Sequence, residues 1–457
     1  MVEKIERQKP KEQDKFERRH NFEAVEENLT KEQVQLEASR CLNCKNARCK
    51  QGCPVCIDIP SFIKEIKEGN LDKAGDIIRE SSMLPSVCGR VCPQEKQCEG
   101  NCILGIKGLP VAIGALERYV GDNTSAKIPS IVPNGKKVAI IGSGCAGMTA
   151  AADLRIAGFD VSIFEALHEF GGVLRYGIPP FRLPRVVLDR EIDSLKNMGV
   201  KFYKNVVVGK SITINQLKEE GYCAIFISSG AGLPKMMYIK GENLNGVYSA
   251  NEFLTRVNLM HANSPDAPTP LKIGKKAAII GGGNVAMDAA RTAVRVGYEK
   301  VFVFYRRTER ELPARLEEIR HAKEEGIDFQ FLRAPVEIEG LDGSVKSMKF
   351  EIMELGEPDS SGRQRPVGTG KYVDVELDTV VVSLGTNPNP IIQRSAVDEK
   401  IELNTDNKGY IVINEKGETS VDSVYAGGDV APLGASTAIN AMGAGKRAAK
   451  AIIEAFK

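Results

Sequence analysis

An α/β fold behind a small helical front domain is what this 457-residue sequence predicts, on three observations. The segment KKVAIIGSGCAGMTAAADLRIAGFDVSIFEA, Lys136 to Ala166, is echoed by KKAAIIGGGNVAMDAARTAVRVGYEKVFVFYRR, Lys275 to Arg307. Each copy reads as a buried strand, a glycine turn, a helix of small residues and a second strand, the repeating unit of a parallel sheet that binds nucleotides. Nine of the eleven cysteines crowd between Cys41 and Cys102, ahead of the first copy. The chain has room for about three domains. No apolar run approaches the ~18 residues that span a bilayer, and the net charge of +2 gives no basic surface for nucleic acid. Val2 to Arg19 is charged, without the apolar core of a secretory signal, so the expected compartment is the cytoplasm.

Taken in order, residues 1 to about 40 carry helical charge patterning with few apolar positions and end in the amphipathic run Thr30 to Arg40. They are expected to form an exposed helical arm. From Cys41 to Gly121 cysteines alternate with helix-like segments, Ile59 to Glu68 and Leu71 to Glu80 among them. Lys127 to Pro133 is polar and holds prolines, as linkers do. The expected domains are a helical one over 1–126, a first dinucleotide domain over 127–255 and 385–457, and a second, inserted in the first, over 256–384.

In the first copy Gly142, Gly144 and Gly147 form GxGxxG after the strand VAII, with Ala146 in the same turn. Such a turn sets backbone amides and a helix N-terminus against a pyrophosphate. Glu165 closes the second strand 23 residues after Gly142, where a carboxylate accepts ribose hydroxyls. In the second copy Gly281, Gly283 and Ala286 form GxGxxA, with Asn284 and Val285 opening the helix, but the second strand ends in Tyr305, Arg306 and Arg307. A carboxylate there would repel a 2′-phosphate. Guanidinium groups bind one through charge-assisted hydrogen bonds, so NADPH is favoured over NADH.

The cysteines run Cys41-x2-Cys44-x4-Cys49-x3-Cys53 and then Cys92-x5-Cys98-x3-Cys102. Seven thiolates in close groups suit iron–sulfur clusters better than one zinc, and the four histidines lie outside the region. Two cubanes take eight ligands, so an eighth lies elsewhere. Cys56, Cys88, Cys145 and Cys223 are expected to be small buried hydrophobes. No Ser-His-Asp or Cys-His arrangement calls for a catalytic role, so the chemistry is left to cofactors.

Two dinucleotide units, one inserted in the other, resemble the two-dinucleotide-binding-domain flavoproteins. The resemblance implies FAD at the first fingerprint. It also implies that VYAGGDV, Val424 to Val430, returns to the flavin with Gly428 and Asp429, and that a helix from Ser436 brings Thr437, Asn440, Gly443 and Gly445. Passages at Ile225 to Gly232 and Val380 to Pro390 would be the crossings between domains. NFEAV, RCLNCK, SVCGRVCPQEKQCEGNC, GALER and GGVLRYGIPPFRLP further resemble the small subunit of NADPH-dependent glutamate synthase and the N-terminal part of dihydropyrimidine dehydrogenase. This implies one [4Fe-4S] cluster on Cys41, Cys44, Cys49 and Cys102, and another on Cys53, Cys92, Cys98 and Glu117. It also implies Gly172 and Arg182 beside the flavin. The implied function is electron transfer between NADPH, FAD and two clusters within an oligomer, with a glutamate synthase large subunit as acceptor. The alternative is the large subunit of an NADH-dependent reduced ferredoxin:NADP+ oxidoreductase, or a sulfide dehydrogenase subunit, with a second flavoprotein or ferredoxin as partner.

Overall fold

The computed structural model describes residues 5–264, 266–359, 362–433 and 436–457. Two five-stranded parallel sheets form its frame. The first runs, from edge to edge, Val424–Ala426, Tyr222–Ile227, Lys137–Ile141, Asp160–Phe164 and Lys201–Tyr203. The second runs Val247–Ser249, Thr379–Val382, Lys276–Ile280, Lys300–Tyr305 and Asp328–Phe331. In each the strand that precedes the glycine turn is central, and four of its five residues are buried. That double-sided burial is why VAII and AAII read as unbroken apolar runs.

The second sheet lies between two strands of the first in sequence, as expected of an insertion. Leu233–Pro234 pairs antiparallel with Thr386–Asn387, so outgoing and returning chain cross side by side. The first crossing differs from the expected boundary at 255. Val247–Ser249 already pairs with Val380–Val382, and 255 falls inside the helix Ala250–Asn258. Asn245-Gly246 marks a turn just before that short edge strand, but three residues are too few to show a strand pattern in the sequence. A three-stranded antiparallel sheet, Arg333–Leu341, Ser344–Pro358 and Gln364–Glu376, covers one face of the second, where Phe350 stacks on Phe304 with ring centroids 3.9 Å apart.

The front domain holds the helices Lys31–Ser39, Ile59–Lys67, Leu71–Ser81, Pro85–Val91 and Ile113–Asn123. Its apolar residues, Phe62, Ile63 and Val87 among them, share one core with Val138 and Ile140 of the first sheet and Met442 of the helix Ala438–Phe456. The second sheet packs around its own core. The arm departs from expectation. Among the described residues before the Thr30 capping box only Arg18–His20 makes a helical turn, and Arg18 is fully buried. The segment lacks an apolar stripe to pack as a helix, so its course follows ion pairs: Arg18 Nε to Glu325 at 3.0 Å and Nη2 to Glu324 at 2.7 Å.

Candidate functional site

A cleft of about 1970 Å³, open solvent at its mouth included, lies between the two sheets at the carboxyl ends of their strands. Its first wall is built by Gly142, Gly144, Cys145 and Ala146, where the strand Lys137–Ile141 turns into the helix Cys145–Ile156. A Cβ on Gly144 would meet nothing within 4 Å, so the turn is open to a ligand, whereas one on Gly147 would lie 2.1 Å from Gly142 O. The third glycine is therefore a packing requirement, the second an approach requirement. Glu165 lines the cleft, its Oε2 accepting from Ser143 N at 3.0 Å and its Oε1 from Leu167 N at 2.9 Å. Two backbone amides and a hydroxyl thus aim the carboxylate.

Gly172, Gly428, Asp429 and Thr437 complete this wall. Thr437 caps the helix Ala438–Phe456 by accepting from Asn440 N at 3.3 Å. Burial raises the Asp429 carboxyl above its usual range, partly offset by Ser436. Gly443 and Gly445 lie deeper in that helix, where they pack against Pro54 O and Ala146 O. The opposite wall carries Asn284, Val285 and Asp288 at the start of the helix Asn284–Val296. Gly283 is open like Gly144, and Ala286 is fully buried at the third-glycine position. Asn284 Oδ1 accepts from Arg315 N at 2.9 Å, a contact with no sequence signal.

The two arginines after Tyr305 differ. Arg306 is exposed, while Arg307 is buried with Nη2 2.6 Å from Asp359 and Nε donating to Gln364 O at 2.7 Å. Arg182 lines the cleft, and its guanidinium is held by Asp288 and Glu318. Burial opposes its charge, but the two carboxylates outweigh burial and hold the group cationic.

The cysteines fall into two places. Cys41, Cys44, Cys49 and Cys102 line one apolar pocket with Ile59, Ile63 and Val111. Cys53, Cys92, Cys98 and Glu117 are buried together, and the Glu117 charge is felt at all three thiols. Glu117 Oε1 is buried with no hydrogen-bond partner, and burial pushes its carboxyl up to about 8. Burial likewise drives Cys53 up to about 12. Donors this starved of positive charge fit a metal cluster, which deprotonates its thiols. Cys88 is in this group too, close enough to raise the Cys92 thiol, with its own Sγ 3.5 Å from Met442 Sδ. Cys56 is exposed. Val91 and Pro93, flanking Cys92, line the dinucleotide cleft.

Two family profiles match the chain: dihydropyrimidine dehydrogenase domain II, 4Fe-4S cluster, over residues 18–128, and pyridine nucleotide-disulphide oxidoreductase over residues 136–445. Fold and site thus define an NADPH-dependent flavin and iron–sulfur oxidoreductase with two [4Fe-4S] clusters. The chain is 36% identical over 464 residues to the glutamate synthase [NADPH] small chain of Halomonas elongata, covering 98% of this chain and 96% of that one. It is 34% identical over 451 residues to its counterpart in Escherichia coli, covering 95% and 94%. This chain belongs to the family of NADPH glutamate synthase small chains. Among solved structures FprA of Mycobacterium tuberculosis in complex with NADPH shares the fold, with a TM-score of 0.57 at 22% identity, covering 71% of this chain and 84% of that one. Among the described residues no helix is long and apolar enough to cross a membrane.

Proposed function

We propose that this chain is the electron-entry subunit of a cytoplasmic glutamate synthase, oxidising NADPH and serving an FMN-bearing large subunit. The observation that carries this reading is a single cleft walled by the first dinucleotide turn, by the start of the helix that follows the second turn, and by the residues on either side of Cys92. FAD bound there would accept the two electrons of a hydride together and release them singly.

The chain's own residues hold and orient. Gly142, Gly144, Ala146 and Gly147, with the helix behind them, receive the flavin nucleotide's pyrophosphate, and Glu165 receives its ribose. Gly172, Gly428, Asp429, Thr437 and Asn440 frame the rest of that nucleotide. Gly281, Gly283, Asn284, Val285 and Ala286 receive the NADPH pyrophosphate. Arg306 meets the 2′-phosphate, and Arg307 braces the strand end through Asp359. Cys53, Cys92, Cys98 and Glu117 hold the cluster beside the cleft, and Cys41, Cys44, Cys49 and Cys102 hold the cluster beyond it. In domain terms, 1–126 binds the clusters, and the NADPH domain is the insertion that ends near 385.

A relative from Moorella thermoacetica, an NADP(+)-dependent formate dehydrogenase subunit beta, is 38% identical over 436 residues, but this chain spans 59% of it. Full-length coverage favours the glutamate synthase reading. Anaerobic affinity purification from the native cell tests it. A very large co-purifying chain with a processed N-terminal cysteine supports the proposal, whereas a small flavoprotein with a two-iron cluster moves the function to exchange with ferredoxin.

A further inference from the structure

The segment Gly177–Pro184 leaves the flavin wall and reaches across to the NADPH-binding domain. Pro179, Pro180 and Pro184 each fix a backbone angle, and Phe181 O accepts from Val25 N at 3.0 Å, so the reach is stiff. Phe181 is buried under Arg291 and Arg295, whose guanidinium carbons lie 4.7 and 4.0 Å from its ring centroid. The next residue makes the junction. Arg182 Nη1 donates to Asp288 Oδ1 at 2.8 Å and Oδ2 at 2.7 Å, and its Nε lies 2.8 Å from Glu318 Oε1. The Arg182, Asp288 and Glu318 side chains are 6%, 5% and 5% exposed.

We propose that Arg182 is a positioning residue, holding the NADPH-binding helix at a fixed offset from the flavin wall and so setting the nicotinamide's approach. This rests on the reading of the cleft given above. Asp288 lies one turn from Gly283, on the helix whose amide end receives the pyrophosphate, so what fixes Asp288 fixes the nucleotide's anchor. The two dinucleotide domains have separate cores, and relative motion is the default for such pairs. A desolvated ion pair opposes it, because parting leaves each charge buried and uncompensated. The same helix is also tied at its far end, where Arg295 Nε donates to Asn21 O at 3.0 Å, but that contact is remote from the turn. Hydride donor and acceptor must stand about 3–3.5 Å apart, and a shift of about 1 Å costs up to ~100-fold in rate.

The test uses the FAD- and iron-loaded protein and the variants Arg182→Met, Arg182→Lys and Asp288→Asn. Stopped-flow bleaching by NADPH should show the limiting rate falling roughly 10–100-fold in Arg182→Met and Asp288→Asn, with NADPH affinity held within about threefold. Arg182→Lys, which keeps the charge, should recover part of the rate. Hydrogen exchange without nucleotide gives a second readout: the helix Asn284–Val296 and the segment 171–184 should exchange faster in the two neutral variants, the sheets unchanged. Wild-type rates and exchange in both would overturn the proposal, as would a rate loss wholly explained by weaker NADPH binding. Should Arg182→Met fail to fold, Asp288→Asn keeps the side-chain shape and decides alone. A wild-type protein that NADPH does not bleach overturns the reading of the cleft itself. A bleached wild type with unaffected variants overturns only the positioning role.

Discussion

Arg306 and Arg307 are adjacent in the sequence and differently employed. The sequence offers both as a cationic replacement for a ribose-binding acid, but it could not show that Arg307 is engaged elsewhere, because Asp359 is 52 residues beyond it in sequence. Arg306→Ala should raise KM for NADPH at least about tenfold, the loss of one charge-assisted phosphate contact, and leave KM for NADH nearly unchanged. An equal effect on both nucleotides in steady-state assays would contradict it. The Glu117 carboxylate is a residue the motif alone would leave on a helix surface; its burial with an unpartnered oxygen is information only the fold supplies. Glu191 makes a similar point away from the site. Burial pushes its carboxyl up to about 7, with Arg79 and Arg190 pulling the other way. The folded state therefore favours its protonated form: its contribution is full below the ordinary carboxylate value of 4.5 and is lost as pH rises through 7. Glu191→Gln should stabilise the protein by on the order of 1–3 kcal/mol at pH 8, and progressively less toward pH 5. Thermal melts across that range check it, and a gain that grows toward acid would contradict the sign.

The helices of the front domain were readable as elements because they carry apolar stripes: Ile59–Lys67 presents Phe62, Ile63 and Ile66 to the core, and Leu71–Ser81 presents Ala74 and Ile78. The arm was not, since its charges pair with residues about 300 positions away, Arg18 with Glu325 above all. Arg18→Met leaves Glu325 with Arg291 and Arg295 as remaining partners, so the loss should be partial, about 2–4 kcal/mol, and visible as a lower melting temperature. An unchanged melt would mean the arm is not anchored there. The helix Ala438–Phe456 reads from its glycines as a flavin contact, yet a Cβ on Gly445 would stand 2.3 Å from Ala146 O. That glycine lets this helix and Cys145–Ile156 close on each other, and Gly445→Ala should cost about 1–3 kcal/mol and weaken FAD retention. Retention of FAD through gel filtration with an unchanged melt would contradict this.

At the scale of the molecule, the repeated unit made the α/β class and the insertion legible, because strand, glycine turn and helix recur with their spacing intact, and the clustered cysteines ahead of it made the front domain legible. What spacing could not supply is how the parts abut: one core joins the front domain to the flavin side, while ion pairs join the NADPH side to both. That arrangement puts Val91 and Pro93 on the cleft wall and Cys92 directly behind it. Cys92→Ser should accordingly cost about four irons per chain, one cubane, and Cys88→Ser none. The reverse pattern on iron analysis would exchange the roles of these two neighbours. If one cleft joins NADPH, flavin and cluster sites, electrons from NADPH pass through the flavin to the clusters within this chain alone. The most direct measurement is anaerobic titration of the purified chain with NADPH, following the flavin band and the paramagnetic signals of reduced clusters, with metal and flavin content determined on the same sample. One FAD and about eight irons per chain, bleaching of the flavin, and cluster signals that appear without any partner are expected. A flavin that bleaches while every cluster stays oxidised, or a protein that carries zinc in place of iron, would contradict it.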